Sequence, residues 1–182
     1  MEKATLAGGC FWCTEAIFKR LKGVSSVLPG YSGGSIEHPT YEQVCSETTG
    51  HAEAIQIEFD SNIIPYEKLL EIFFYTHDPT TPNQQGNDMG PQYRSVVFYH
   101  SAEQKQSIEK FVAKLERDKV YPRPIVTTIE PFKNFYVAED YHKNYFDRNR
   151  EAPYCDYTIA PKIHKLLEQF GKDVKEEYKA SN

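Results

Sequence analysis

The sequence has no apolar run approaching the roughly 20 residues that a helical membrane span requires. Its opening residues, MEKATLAGGC, lack the basic start and apolar core of a signal peptide. There is no basic stripe either. The net charge is −5, with both signs scattered along the chain, which argues against nucleic acid and against an anionic membrane surface as partners. Cysteine is scarce. The four residues, at 10, 13, 45 and 155, are too few for a disulfide scaffold in a chain long enough to build its own core. These absences lead to the expectation of a cytoplasmic, monomeric protein with reduced thiols, in which a disulfide would be transient and catalytic. Zinc would need a second ligand pair at comparable spacing, and Cys45 and Cys155 are isolated. Neither a metal nor another cofactor is therefore expected. No internal repeat or low-complexity tract interrupts the chain.

What is present is a chain of 182 residues with 13 tyrosines and 14% aromatics. That length suits one domain burying roughly 70% of the surface it exposes when unfolded. Residues 1–160 read as that domain and 161–182 as a charged helical extension. Hydrophobic spacing predicts a strand running into Gly8 and Gly9, a helix over 10–23 and a strand over 24–34. An alternating strand over 51–60 and a helix over 65–77 follow, with Pro65 near its first turn. Then come a strand over 95–100, an amphipathic helix capped by Ser101, a strand over 124–131 and a helix over 136–149. The order of the first six elements matches a split βαβ sandwich of the ferredoxin-like kind. The expectation is an α/β (α+β) fold with a central mixed sheet and flanking helices. Two long polar loops, 31–50 and 77–94, are unusual in a compact domain and are the places to look for function.

The stretch LAGGCFWCTEAIFKRL, residues 6–21, carries the first chemistry. A thiol at a helix N-terminus lies near unsatisfied N–H groups and the positive end of the dipole, so Cys10 is expected to have a depressed pKa and to act as a nucleophile. Gly8 and Gly9 permit close approach. Phe11 and Trp12 are consecutive and cannot share one helix face, so one is expected to anchor the helix and the other, Trp12, to line a pocket beside the thiol. Cys13 completes a C-x-x-C. Residues i and i+3 of a helix have Cβ atoms roughly 5–6 Å apart, which leaves both a redox pair and a plain helix residue open. Glu53 sits between two alanines on the alternating strand, and if these face the core it points the other way. Cys45 reads as a buried structural residue.

Beyond these single residues, GGCFW at 8–12, GYSGG at 30–34, HPTYEQVCSETTGHAEAI at 38–55, HDPTT at 77–81, QGNDMGPQYRS at 85–95 and AEDYHKNY at 138–145 occur in one order. Over residues 4–160 the sequence resembles the peptide methionine sulfoxide reductase A family. The resemblance implies reduction of methionine S-sulfoxide, free or in oxidised proteins, with recycling by thioredoxin or a small thiol. It implies that Cys10 is the nucleophile and that Glu53 protonates or hydrogen-bonds the sulfoxide oxygen. Tyr41 and Tyr93 would hold that oxygen, Asp88 would position substrate and water, and Phe11 and Trp12 would form the methyl pocket. It nominates Cys155, in PYC, as the thiol that resolves a sulfenic acid, with Cys13 and an external thiol as the alternatives. A carboxyl among aromatics has a raised pKa and can donate a proton, which agrees with that role for Glu53. His51 is a candidate for supporting hydrogen bonds. Two other readings are a thioredoxin-like oxidoreductase built on Cys10 and Cys13, and a non-enzymatic binder of oxidised methionine.

Overall fold

The structure, a computed structural model, describes residues 1–180. Strand β1 (Glu2–Gly8) leads into helix α1 (Phe11–Phe18), and β2 (Val24–Ser32) runs back beside it. A five-residue helix α2 (Tyr41–Cys45) precedes β3 (Ala52–Phe59) and α3 (Tyr66–Thr76). A small hairpin of β4 (Gln84–Gln85) and β5 (Asp88–Met89) precedes β6 (Ser95–Tyr99), α4 (Ala102–Arg117) and β7 (Thr128–Pro131). The chain ends with β8 (Tyr136–Val137), the short α5 (Tyr145–Arg148), a π-helical turn over Cys155–Ile159 and α6 (Ala160–Phe170).

The main sheet has the order β7-β6-β1-β3-β2-β8. Its four central strands are mutually antiparallel, and β7 joins β6 in parallel, so the sheet is mixed. This is the expected ferredoxin-like order with one strand added at each edge. Strand β3 is central, and its alternating residues serve two cores. Ile55, Ile57 and Phe59 belong to the large cluster that includes Phe11, Ile17 and Phe73 of α1 and α3. Ala52 and Ala54 face the opposite side, where they meet Ala7, Val96 and Phe98 under Phe132 and Phe135. Glu53 has the parity of Ile55, so it points toward α1.

Four elements differ from the sequence expectation. The loop 31–50 contains α2, closed by a capping box in which Thr40 Oγ1 and Gln43 Oε1 each accept the other residue's backbone N–H. The T-x-x-Q spacing was the available signal for it. The loop 77–94 contains the β4–β5 hairpin and a 3₁₀ turn at Pro91–Tyr93. The helix expected over 136–149 is broken into β8, a 3₁₀ turn at Asp140–His142 and α5. Tyr136 and Val137 are drawn onto the edge of β2, and Asn144 is left-handed at φ 54°. Both carboxylate oxygens of Glu15 accept its N–H, at 2.9 and 3.0 Å.

The fourth difference concerns residues 161–182, expected to be an extension. Ile163, Leu166 and Phe170 are buried in the large core, and α6 packs against α1 and α3. Beyond it Val174 bridges to Leu21, and the Lys175 N–H donates to Arg20 O at 2.9 Å. Helix α6 is amphipathic, and its apolar stripe fills the core while its charges face solvent. Leu166→Ala is therefore expected to cost about 2–5 kcal/mol, like other fully buried leucines. Urea denaturation at neutral pH measures it, and a change near zero would show that α6 is peripheral.

Candidate active site

The site begins where β1 hands the chain to α1. Gly9 has φ +91°, and a Cβ there would lie 2.6 Å from the Gln85 side chain. A Cβ on Gly8 would lie 2.7 Å from the Phe73 ring. Gly9 thus lets the loop bearing β4 and β5 close over the helix entry, and Gly8 lets Phe73 of α3 pack against the end of β1. Cys10 follows as the residue before the first turn, only 7% exposed, and its side chain caps no backbone N–H. The N–H at that end is taken by another group. Phe11 N donates to Glu53 Oε2 at 3.0 Å, and Glu53 is 1% exposed.

Burial decides the charges. It pushes the Glu53 carboxyl up to about 8, against the Phe11 N–H bond, with Asp88 and Cys13 adding to the rise. Burial also raises the Cys10 thiol, followed by its hydrogen bond to Cys13 and the field of Glu53. Cys13 is lowered to about 7, chiefly by the hydrogen bond from Cys10. The two thiols titrate as a pair, in which burial and the field of Glu53 hold the Cys10 thiol up. This corrects the expected depressed pKa of Cys10. The dipole at the helix entry is outweighed because the thiol is buried beside a carboxyl and a second sulfur.

Tyr41, at the start of α2, and Tyr93, in the 3₁₀ turn, are both half-buried. Burial and then Glu53 raise both phenols, so both stay protonated as donors. Asp88 lies on β5 and accepts from the Tyr154 hydroxyl at 2.6 Å. The structure therefore brings Cys10, Glu53, Tyr41, Tyr93 and Asp88 into one electrostatically coupled cluster. A family model described as peptide methionine sulfoxide reductase matches residues 2–175.

The chain belongs to the peptide methionine sulfoxide reductase family. The family reduces methionine sulfoxide, which makes the protein an oxidoreductase. Peptide methionine sulfoxide reductase MsrA of Sulfolobus acidocaldarius is 56% identical over 170 residues, which is 93% of this chain and 96% of that one. The crystal structure of Mxr1 from Saccharomyces cerevisiae in reduced form matches with a TM-score of 0.79 at 36% identity, over 85% of this chain and 88% of that one. Mxr1 in complex with Trx2 matches with a TM-score of 0.57 at 28% identity, over 79% and 84% of the two chains.

In this reductase the two aromatics after Cys10 have separate places. Phe11 is 1% exposed and packs on Tyr31 and His142. Trp12 is half-buried, stacked on Tyr145 with ring centroids 3.6 Å apart. Its indole N–H donates to Nδ1 of His142 at 3.0 Å, and His142 is fully buried. Glu139 accepts from the Tyr31 hydroxyl at 3.1 Å and from Tyr41 N at 3.2 Å. Sequence reasoning missed His142, Glu139 and Tyr154 as parts of the site. The only signal for the first two was AEDYHKNY, whose residues were read as one helix.

The remaining thiols and His51 lie as follows. Cys155 is fully buried in the π-helical turn, in the same core cluster as Cys13, whose charge raises it after burial. Cys45, expected to be buried, is only half-buried, at the end of α2. It is displaced from the core because α2 buries Val44 instead. All four cysteines are free thiols. His51 Nδ1 accepts from Gly34 N at 3.0 Å, and its Nε2 lies 2.7 Å from Ile36 O, so it pins the loop after β2.

The raised Glu53 carboxyl has a consequence for stability. Between about 4.5 and 8 the unfolded chain releases this proton while the folded chain keeps it, so folding weakens as pH rises through that window. Glu53→Gln is expected to stabilise the fold at pH 8 by roughly a few kcal/mol and to leave it unchanged at pH 4. Denaturant midpoints at the two pH values check this. An equal effect at both would mean that Glu53 is not held neutral.

Proposed function

We propose that the chain reduces the S epimer of methionine sulfoxide, free or in oxidised proteins, and so repairs oxidised methionine as a monomer in the cytoplasm. The observation that carries this reading is the neutral carboxyl of Glu53, held by the Phe11 N–H beside the Cys10 thiol. A sulfoxide oxygen leaves only if it is protonated, and a buried acid near its own pKa at working pH is suited to that. Cys10 attacks the sulfur and passes its proton to the Cys13 thiolate. Glu53 protonates the oxygen, with Tyr41 and Tyr93 donating hydrogen bonds to it. The sulfur–oxygen bond of the substrate breaks and one forms on Cys10. Methionine is released, reduced by two electrons, and Cys10 becomes a sulfenic acid. Trp12 offers the apolar face for the methyl group, with Phe11 behind it.

Cys13 then serves as the resolving thiol, in place of Cys155. The spacing supports this: Cys13 N donates to Cys10 O at 3.1 Å across the first turn of α1, and residues i and i+3 have Cβ atoms roughly 5–6 Å apart. Cys155 is fully buried in the π-helical turn, 145 residues along the chain from Cys10. Thioredoxin or a small thiol then reduces the disulfide, as the likeness to Mxr1 bound to Trx2 supports. The buried Glu53 acid also favours this reading over a thioredoxin-like oxidoreductase, which has no use for it.

Cys10→Ser is expected to abolish turnover of S-methionine sulfoxide, and the R epimer should not be reduced by wild type. Glu53→Gln is expected to slow the methionine-forming step by about 10²–10⁴-fold. In wild type that step should fall as pH rises through about 8, and the fall should vanish in Glu53→Gln. Single-turnover methionine release across pH measures both. A variant within twofold of wild type would remove Glu53 as the acid. Peptide mapping after one turnover without reductant should give a Cys10–Cys13 bridge; a Cys10–Cys155 bridge would return the role to Cys155.

A further inference from the structure

Tyr154 has no part in the reaction as described above, yet its hydroxyl stands among the reacting groups. It lies 3.8 Å from Cys13 Sγ and donates to Asp88 Oδ2 at 2.6 Å. The charge of Cys10 also acts on it. The ring is half-buried and packs edge-on against Trp12 at 5.8 Å. A phenol has one proton, and here Asp88 accepts it. The oxygen is then an acceptor toward a Cys13 thiol, which turns the S–H away from Cys10. Asp88 and Tyr154 both line an open cleft of about 580 Å³, together with Gln85 and Lys162. A continuous path of hydrogen-bonding groups thus runs from the buried sulfurs to the surface, on the side of α6.

The path meets a need of the second half-reaction. After methionine leaves, Cys13 carries the proton it took from Cys10 and must lose it to attack. The step is Cys10–S–OH plus Cys13–SH going to a Cys10–Cys13 disulfide and water. The sulfur–sulfur bond forms, the sulfur–oxygen bond breaks, and the departing hydroxyl needs one proton. Cys10 is reduced from sulfenic acid and Cys13 is oxidised. We propose that Tyr154 is a catalytic residue of this step, taking the Cys13 proton on its oxygen as it passes its own proton to Asp88 at the cleft wall. Glu53, recharged from solvent, protonates the departing hydroxyl on the other side. Asp88 returns its proton to solvent, so the step is neutral overall. This inference rests on the reading of Cys13 as the resolving thiol.

The titratable groups that face Cys13 are Cys10, Glu53, Asp88, Tyr154, Cys155 and Lys162. Among them only Tyr154 bridges the sulfur by hydrogen bonds to an acceptor on the cleft wall, the half-buried Asp88. Tyr154→Phe keeps the ring and its packing on Trp12. It is expected to slow disulfide formation by about 10²-fold, at the low end for a positioned proton-transfer group, and by more than it slows methionine release. Sulfenic acid should accumulate and be trapped by dimedone. The deficit relative to wild type should shrink as pH rises and hydroxide replaces the relay, whereas a packing defect would give the same deficit at every pH. Asp88→Asn should slow the same step, and the double variant should be no slower than Tyr154→Phe. Disulfide formation at wild-type speed in Tyr154→Phe, or slowing that is equal at every pH, overturns the relay and leaves Cys13 as resolver. A Cys13→Ser variant that still forms an intramolecular disulfide at wild-type speed overturns both.

Discussion

The hydrogen bond from Phe11 N to Glu53 Oε2 joins the first turn of α1 to the middle of the sheet. It occupies the place where a helix offers its free N–H groups, and it fills that place with a carboxyl rather than the neighbouring thiol. Two consequences follow from burial. The carboxyl remains protonated at neutral pH because no full counter-charge accompanies it into the core. The thiol of Cys10, denied that N–H and set beside a second sulfur, is not a free thiolate in the resting site. The electrophile's proton and the nucleophile's sulfur are thus both stored in neutral form, within one turn of one helix.

Keeping that turn in place requires support from a distant part of the chain. The segment 139–147 reaches across α1 in several ways. Glu139 holds Tyr31 and the start of α2, and His142 holds the indole of Trp12. Glu15 holds the backbone of Asn144, and Asp147 pairs with Lys19 and Arg20. Buried or half-buried partners of this kind fix a single geometry more than they add stability. Their effect here is to fix the Trp12 ring and the start of α2 relative to α1.

The two sides of the thiol pair are chemically different. Burial and Glu53 act on Tyr93, and Tyr93 also feels Cys10. Tyr154 is bonded to Asp88, and both act on Cys13 together with Lys162. Asp88 links the two groups, because its charge also helps to hold the Glu53 carboxyl up.

By itself the sequence determined most of the elements and nominated most of the residues that the structure gathers around the entry to α1. Glycines before a cysteine mark a tight helix entry whatever follows, and the period of β3 places Glu53 opposite its alanines because side chains alternate on a strand. Ordered motifs carried Tyr41, Tyr93 and Asp88. The tertiary structure decided the states of these groups. A pKa shift depends on what surrounds a group in three dimensions, so the raised Cys10 thiol could not be read from its position at a helix start. It also decided partners. Tyr154 lies 66 residues from Asp88 and 141 from Cys13, and His142 lies 130 from Trp12. Such pairs share no local period. Helix α6 belongs with them, because a charged amphipathic stretch reads alike whether its apolar stripe meets solvent, a partner or its own core.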